Sequence, residues 1–111
     1  MLSNTAPSAA NGVKTDITEI TAVNGYTAGG ATATISSSAQ TSGTYKLVLA
    51  DIVFTASGGS IGPFRYFVLY DDTAASDQLI GWWDYGSSIT LASGESLTAD
   101  FSATNGVIQL V

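Results

Sequence analysis

Hydrophobic positions change character part-way along this chain. Residues 1–30 show little periodicity and many turn formers: Asn4, Pro7, Asn11-Gly12, Asn24-Gly25 and Gly29-Gly30. Met1 to Thr5 has room for a short strand. Asp16 and Glu19 stand three apart, the N-cap to N3 spacing of a single helical turn around Ile17 to Ile20. The same pair reads equally as two solvated loop carboxylates.

From Ala31 the pattern is that of strands. Ala31 to Ser38 is small and rich in Thr and Ser, suited to an edge. In Thr44 to Ala56, Leu47 and Leu49 share one alternation phase and Ile52 and Phe54 the other. Side chains alternate faces along a strand, so the switch predicts a bulge or corner near Ala50-Asp51, where the chain passes between sheets. Ser57 to Pro63 (SGGSIGP) is the loop that follows.

Phe64 to Asp72 (FRYFVLYDD) is apolar on both faces: Phe64, Tyr66, Val68 and Tyr70 on one, Phe67 and Leu69 on the other. A strand clad on both sides belongs at the centre of a sheet. Asp71 to Asp77 turns the chain, and Gln78 to Tyr85 (QLIGWWDY) returns beside it. Gly81, next to two tryptophans, predicts a bulge or a close backbone approach. Ser87 to Leu91, Glu95 to Ser102 and Gly106 to Val111 read as three further short strands. In Glu95 to Ser102, Leu97, Ala99 and Phe101 oppose Thr98 and Asp100, as in a half-buried strand.

About seven to eight short strands separated by regular turn signals predict an all-β fold, an antiparallel β-sandwich of jelly-roll or Ig-like kind. No internal repeat suggests a solenoid. The 111 residues fit one domain, with 1–30 as a loop-rich arm packed on a sandwich formed by 31–111.

Charge narrows the choice of partners. Lys14, Lys46 and Arg65 face nine carboxylates, a net charge of −6. Nucleic-acid binding draws most of its affinity from cations that neutralise phosphates, so DNA, RNA and anionic membranes are not expected partners. No stretch approaches the roughly 20 apolar residues that span a bilayer, and the start lacks the basic and apolar regions of a signal peptide. Half the chain is Ala, Ser, Thr and Gly, residues suited to strands, turns and close interfaces. Soluble β proteins usually guard their edges with Lys, Glu or Pro. With two lysines and two prolines in all, this chain is expected to cover its edges with its own loops or, in preference, with a neighbouring subunit.

Little catalytic chemistry is on offer. There is no histidine and no cysteine. That removes the usual general base, imidazole and thiolate zinc ligands, Ser-His-Asp and Cys-His arrangements, and disulfides. Asp71, Asp72, Asp77 and Asp84 gather around one predicted hairpin. A carboxylate pair of glycosidase type or a calcium site needs such residues. Hairpin acids are more often turn formers, and the spacing fits no EF-hand loop. Gly29-Gly30 and Gly58-Gly59 lack the lysine and helix of a phosphate cradle. The expectation is no enzyme, no cofactor and no metal.

The aromatics remain. Phe64, Tyr66, Phe67, Tyr70, Trp82, Trp83 and Tyr85 fall on one predicted hairpin. Neighbours on a strand point to opposite faces, so one of Trp82 and Trp83 should lie outside unless a bulge intervenes. Phe64, Tyr66, Tyr70, Trp82, Trp83 and Tyr85 are therefore candidate packing or interface anchors, given the enrichment of Trp and Tyr at interface hot spots. Sugar stacking on an exposed Trp ranks second.

Four segments, GYTAGG (Gly25 to Gly30), LADIVFTASGGSIGPFRYFVLYDDT (Leu49 to Thr73), LIGWWDYGSSITLASGESLTADF (Leu79 to Phe101) and the opening SNTAPSAANGVKTDITEI (Ser3 to Ile20), resemble a family of tailed-bacteriophage virion structural proteins. The resemblance covers nearly the whole chain, mostly at turns and core apolar positions. It departs at the start, where only Met1 and Leu2 precede the SNTAP segment. Family members commonly carry more residues there to complete a first strand, so the chain is either a shortened version or one whose strand is supplied or omitted in the assembly. The resemblance implies a place in the virion, foremost on the capsid surface as a decoration (cement) protein. Its partners would then be the major capsid protein, other virion proteins and further copies of itself. A neck or collar fitting and a receptor- or carbohydrate-binding module of a tail or fibre are the alternatives. Neutral Ser/Thr/Ala surfaces with aromatic anchors suit such contacts at low desolvation cost, and acidic charge keeps the protein off packaged DNA.

Overall fold

A computed structural model describes all residues, Met1–Val111. The chain is almost entirely β: β1 (Leu2–Ser3), β2 (Ile35–Thr41), β3 (Thr44–Leu49), β4 (Ile52–Thr55), β5 (Ile61–Tyr70), β6 (Leu79–Leu91), β7 (Ser96–Ala99) and β8 (Ile108–Leu110). They form three open sheets ordered β1-β5-β6, β2-β3-β8 and β4-β7, and the pairings described below are antiparallel. This is the all-β, sandwich-like class expected from the alternation.

The chain divides into two compact units, Met1–Gly30 with Thr55–Glu95, and Ala31–Phe54 with Ser96–Val111. In the first, β5 is the central strand, as its doubly apolar sequence predicts. β1 pairs with it on one side, Leu2 opposite Phe67 and Ser3 opposite Tyr66. β6 lines the other side. Leu2, Ile61 and Phe64 have no exposed surface, and Met1, Ile17 and Val68 cluster with Tyr70 and Leu79 packed on them.

The first thirty residues are fastened by hydrogen bonds that no periodicity reveals. The Met1 amino group donates to Val68 O at 2.9 Å, and Leu2 N donates to Tyr26 Oη at 2.9 Å. Tyr26 Oη in turn donates to Glu19 Oε1 at 2.7 Å, which also accepts from Gly29 N at 2.6 Å. Tyr70 Oη closes the network on Gly29 O at 2.8 Å. Gly30, at φ +84°, brings its backbone so close that a Cβ would lie 2.7 Å from Met1 Cα. A side chain has no space there.

The helical turn differs from expectation. It is a 3-10 turn at Lys14–Asp16, not a turn around Ile17 to Ile20. Asp16 does not start it: Asp16 Oδ2 reaches back to accept from Gly12 N and Val13 N at 2.8 and 3.1 Å. These two amides hold the carboxyl below its usual range. Glu19 is not a solvated loop acid either, since it anchors Tyr26 and Gly29.

In the second unit, β2 and β3 form a hairpin whose end pair is Thr41–Thr44. Ser42 (φ 50°) and Gly43 (φ 84°) supply the two left-handed residues of a tight two-residue turn. Every residue of β2 is exposed. The break foreseen at Ala50-Asp51 lies between β3 and β4, which belong to different sheets. Ala50 N donates to Thr34 O, and Asp51 Oδ1 accepts from Phe101 N, so the corner is pinned on both sides. Alternation in β7 leaves Leu97 and Ala99 half-buried and Thr98 exposed.

Candidate interaction surface

The expected aromatic hairpin is β5–β6. Tyr66 opposes Asp84, Phe67 opposes Trp83 and Val68 opposes Trp82. Two irregularities shape it. Leu69 pairs with Gly81 but Tyr70 with Leu79, so Ile80 is bulged out beside Gly81, the glycine that signalled a bulge. Further along, Phe64 opposes Ile89 while Tyr66 opposes Asp84, so two steps on β5 face five on β6. Gly86, at φ +97°, lies in this excursion and lets the strand resume its pairing. The two short strands expected at Gln78 to Tyr85 and Ser87 to Leu91 are therefore one 13-residue strand.

The six candidate anchors separate into two groups. Phe64 is fully buried, edge-on to Phe67 at 6.0 Å between centroids, and Tyr66 is 8 % exposed. Tyr70 is half-buried and holds Gly29. These three act in packing. Trp82, Trp83 and Tyr85 are 44, 41 and 52 % exposed, and bulged Ile80 is 44 % exposed. Alternation foresees one tryptophan outside, but both are exposed because β6 ends its sheet. The Trp82 and Tyr66 rings meet in an edge-type contact, 5.9 Å between centroids at 74°.

Electrostatics on this strand are self-contained. Its one carboxylate, Asp84, receives Arg65 in a two-pronged ion pair, Nε to Oδ1 at 2.7 Å and Nη2 to Oδ2 at 2.8 Å. Gly86 N adds a third bond to Oδ1 at 2.8 Å. The guanidinium, then the Gly86 amide, hold the Asp84 carboxyl down at about 2. Arg65 also lies over the Tyr66 ring at 5.5 Å. The exposed aromatics thus surround a neutralised pair.

The hairpin acids do not converge. Asp71 Oδ1 binds Thr73 through its amide at 2.9 Å and its hydroxyl at 2.6 Å, as turn-forming Asx residues do. Asp77 meets Lys14 at 3.6 Å, with the Lys14 ammonium 4.8 Å from the Tyr70 ring centre. No three acidic side chains gather where a metal ion could be held. A depression beside Thr18, Glu19 and Pro63 holds about 200 Å³, below the roughly 300–1,000 Å³ of small-molecule pockets.

Sequence reasoning missed Ile80, the Arg65–Asp84 pair and the Met1–Tyr26–Glu19 network. The first had a signal in Gly81; the others join residues whose proximity depends on register. No family model, curated protein or solved structure matches the chain.

Proposed function

We propose that the chain is a structural protein of a tailed-bacteriophage virion, foremost a capsid decoration protein that works by non-covalent subunit contact. One observation carries the contact part of the reading: Ile80, Trp82, Trp83 and Tyr85 stand exposed along one strand whose only charge is already paired. Fully buried, such side chains contribute about 1.5–3 kcal/mol each or more, and aromatic residues concentrate at hot spots. A surface of this composition gains from being covered. The virion part rests on the resemblance of Ser3 to Ile20, Gly25 to Gly30, Leu49 to Thr73 and Leu79 to Phe101 to that phage family. The absence of histidine and cysteine agrees with a role without chemistry.

The test is the composition and imaging of intact particles. Hundreds of copies arranged over the shell are expected. A handful of copies at the neck or tail tip overturns the decoration role in favour of the collar or fibre alternatives, and absence from particles overturns the virion reading.

Exposure of both tryptophans also favours a second reading, a carbohydrate-binding module of a tail or fibre with Trp82 or Trp83 stacked on a sugar ring. Glycan-array binding that Trp82→Ala or Trp83→Ala abolishes, with the fold intact, would select it.

A further inference from the structure

We propose that the free edge of β6 is a self-association seam, at which two copies pair β6 antiparallel to β6 about a two-fold axis and double the three-stranded sheet β1-β5-β6. The proposal rests on the assembly reading above and names the contact and the partner, a second copy of this chain.

No strand lies beyond β6 in its sheet. Residues 12–14 cover only its beginning, where Leu79 N donates to Gly12 O and Lys14 N to Asp77 O. From Ile80 to Ser87 every residue is exposed except half-buried Gly81, and none is Lys, Glu or Pro, while the bulges at Ile80 and around Gly86 bound the stretch that is left open. The aromatic placement then selects the mode of contact. Trp82 opposes Val68 and Trp83 opposes Phe67, so the two rings lie on opposite faces of the sheet. A partner docking on either face covers one tryptophan. A strand added at the edge flanks both.

Area and charge favour a second copy as that strand. Large side chains present roughly 150–250 Å² each, so the exposed parts of Ile80, Trp82, Trp83 and Tyr85 amount to roughly 400 Å². That is about half of the roughly 800 Å² per partner of a standard interface, and the backbone edge and Ser87 add to it. A two-fold contact applies the same patch twice, and registers centred on Trp82 or Trp83 set an aromatic opposite its own copy. The net charge of −6 per copy opposes association, yet on β6 the only carboxylate is Asp84, clamped by Arg65. Repulsion therefore comes from the rest of each molecule and is screened by salt.

Trp82 and Trp83 are the only tryptophans of the chain, so tryptophan emission reports on this seam alone. The experiment combines sedimentation equilibrium, tryptophan emission and amide hydrogen exchange of the full chain across a concentration series at low and high salt. A monomer–dimer equilibrium is expected, stronger at high salt, with blue-shifted emission following the same isotherm and exchange protection rising within residues 80–90. The double variant Ile80→Lys/Tyr85→Lys should weaken the dimer by about tenfold or more with an unchanged circular dichroism spectrum. It also lowers the net negative charge, so a weaker dimer reflects lysines placed in the seam and not a greater whole-molecule repulsion. A single Tyr85→Lys change serves should the double variant fold poorly. A chain that stays monomeric to about 1 mM overturns the seam. So does a dimer whose emission and β6 exchange do not change, and that result leaves the assembly reading standing. Particle composition judges the assembly reading separately.

Discussion

Arg65 grips Asp84 with both prongs of its guanidinium at the point where β6 departs from its register with β5. The pair lies on the surface, so its contribution is screened and best seen through titration. Asp84 is depressed to about 2 in the folded chain, below its ordinary value of 3.8, by Arg65 first and Gly86 second. A depressed carboxyl stabilises the fold above its unfolded pKa, and that stability is lost as pH falls through the folded value. Carboxyl NMR shifts should give Asp84 a midpoint near 2 that rises towards the usual carboxylate range in Arg65→Gln. An unmoved midpoint refutes the clamp.

Stability near neutral pH should depend on one group. Burial, its largest influence, lowers the Met1 amino group from 8.0 to about 6, with Glu19 opposing the shift. Between these values the unfolded chain holds a proton that the folded chain does not, so stability rises with pH through the window. Full effect is present above pH 8 and is lost below about 6, a difference of about 3 kcal/mol. The chain has no histidine or cysteine to add a slope of its own there. Urea unfolding of the chain beginning at Met1, from pH 5.5 to 8.5, checks it, and a flat profile refutes it.

The Tyr26 hydroxyl joins three segments, accepting from Leu2 N and donating to Glu19. Tyr26→Phe keeps the ring, which is 4 % exposed, and leaves a buried amide without its acceptor. An unfolding free energy lower by about 1–3 kcal/mol is expected from chemical denaturation. A loss under a few tenths of a kcal/mol would mean that the network relaxes around the missing oxygen.

How far each feature was legible depended on whether its cause was local. The central place of β5 follows from apolar residues on both sides of Phe64 to Tyr70, and the sheet change at Ala50-Asp51 from the phase switch between Leu49 and Ile52. Both are read within a few residues. The unity of β6 was not legible, because Gly86 and the serines after it signal a break. Only pairing with β5, resumed where Ile89 meets Phe64, carries the strand across. β2 takes the edge place expected of it but starts later, at Ile35, and runs on to Thr41, because Ser42 at positive φ makes a hairpin turn that a serine seldom makes. The arm was opaque because Met1, Tyr26, Glu19 and Val68 meet through single polar bonds across long sequence separations. Of the candidate anchors, sequence named all six but could not sort them, since sorting requires knowing that β5 lies inside its sheet and β6 at its end.

That sorting yields a contrast between two aromatic rings, Phe64 and Trp82. Phe64 has no exposed surface and touches Phe67 edge-on, so Phe64→Ala leaves a cavity in the first unit's core. Substitutions of this kind cost about 3–5 kcal/mol, a large share of the roughly 5–15 kcal/mol of a typical domain. Trp82 is 44 % exposed and meets the Tyr66 ring in an edge-type contact. Its ring pair contributes about 0.5–1.5 kcal/mol, and only about half of its surface is buried, so Trp82→Ala should cost less than Phe64→Ala. Denaturant midpoints of both variants at a dilution that keeps the chain monomeric make the comparison. If Trp82→Ala proves as damaging as Phe64→Ala, the tryptophan is a folding residue, and the edge of β6 loses Trp82 as a contact residue.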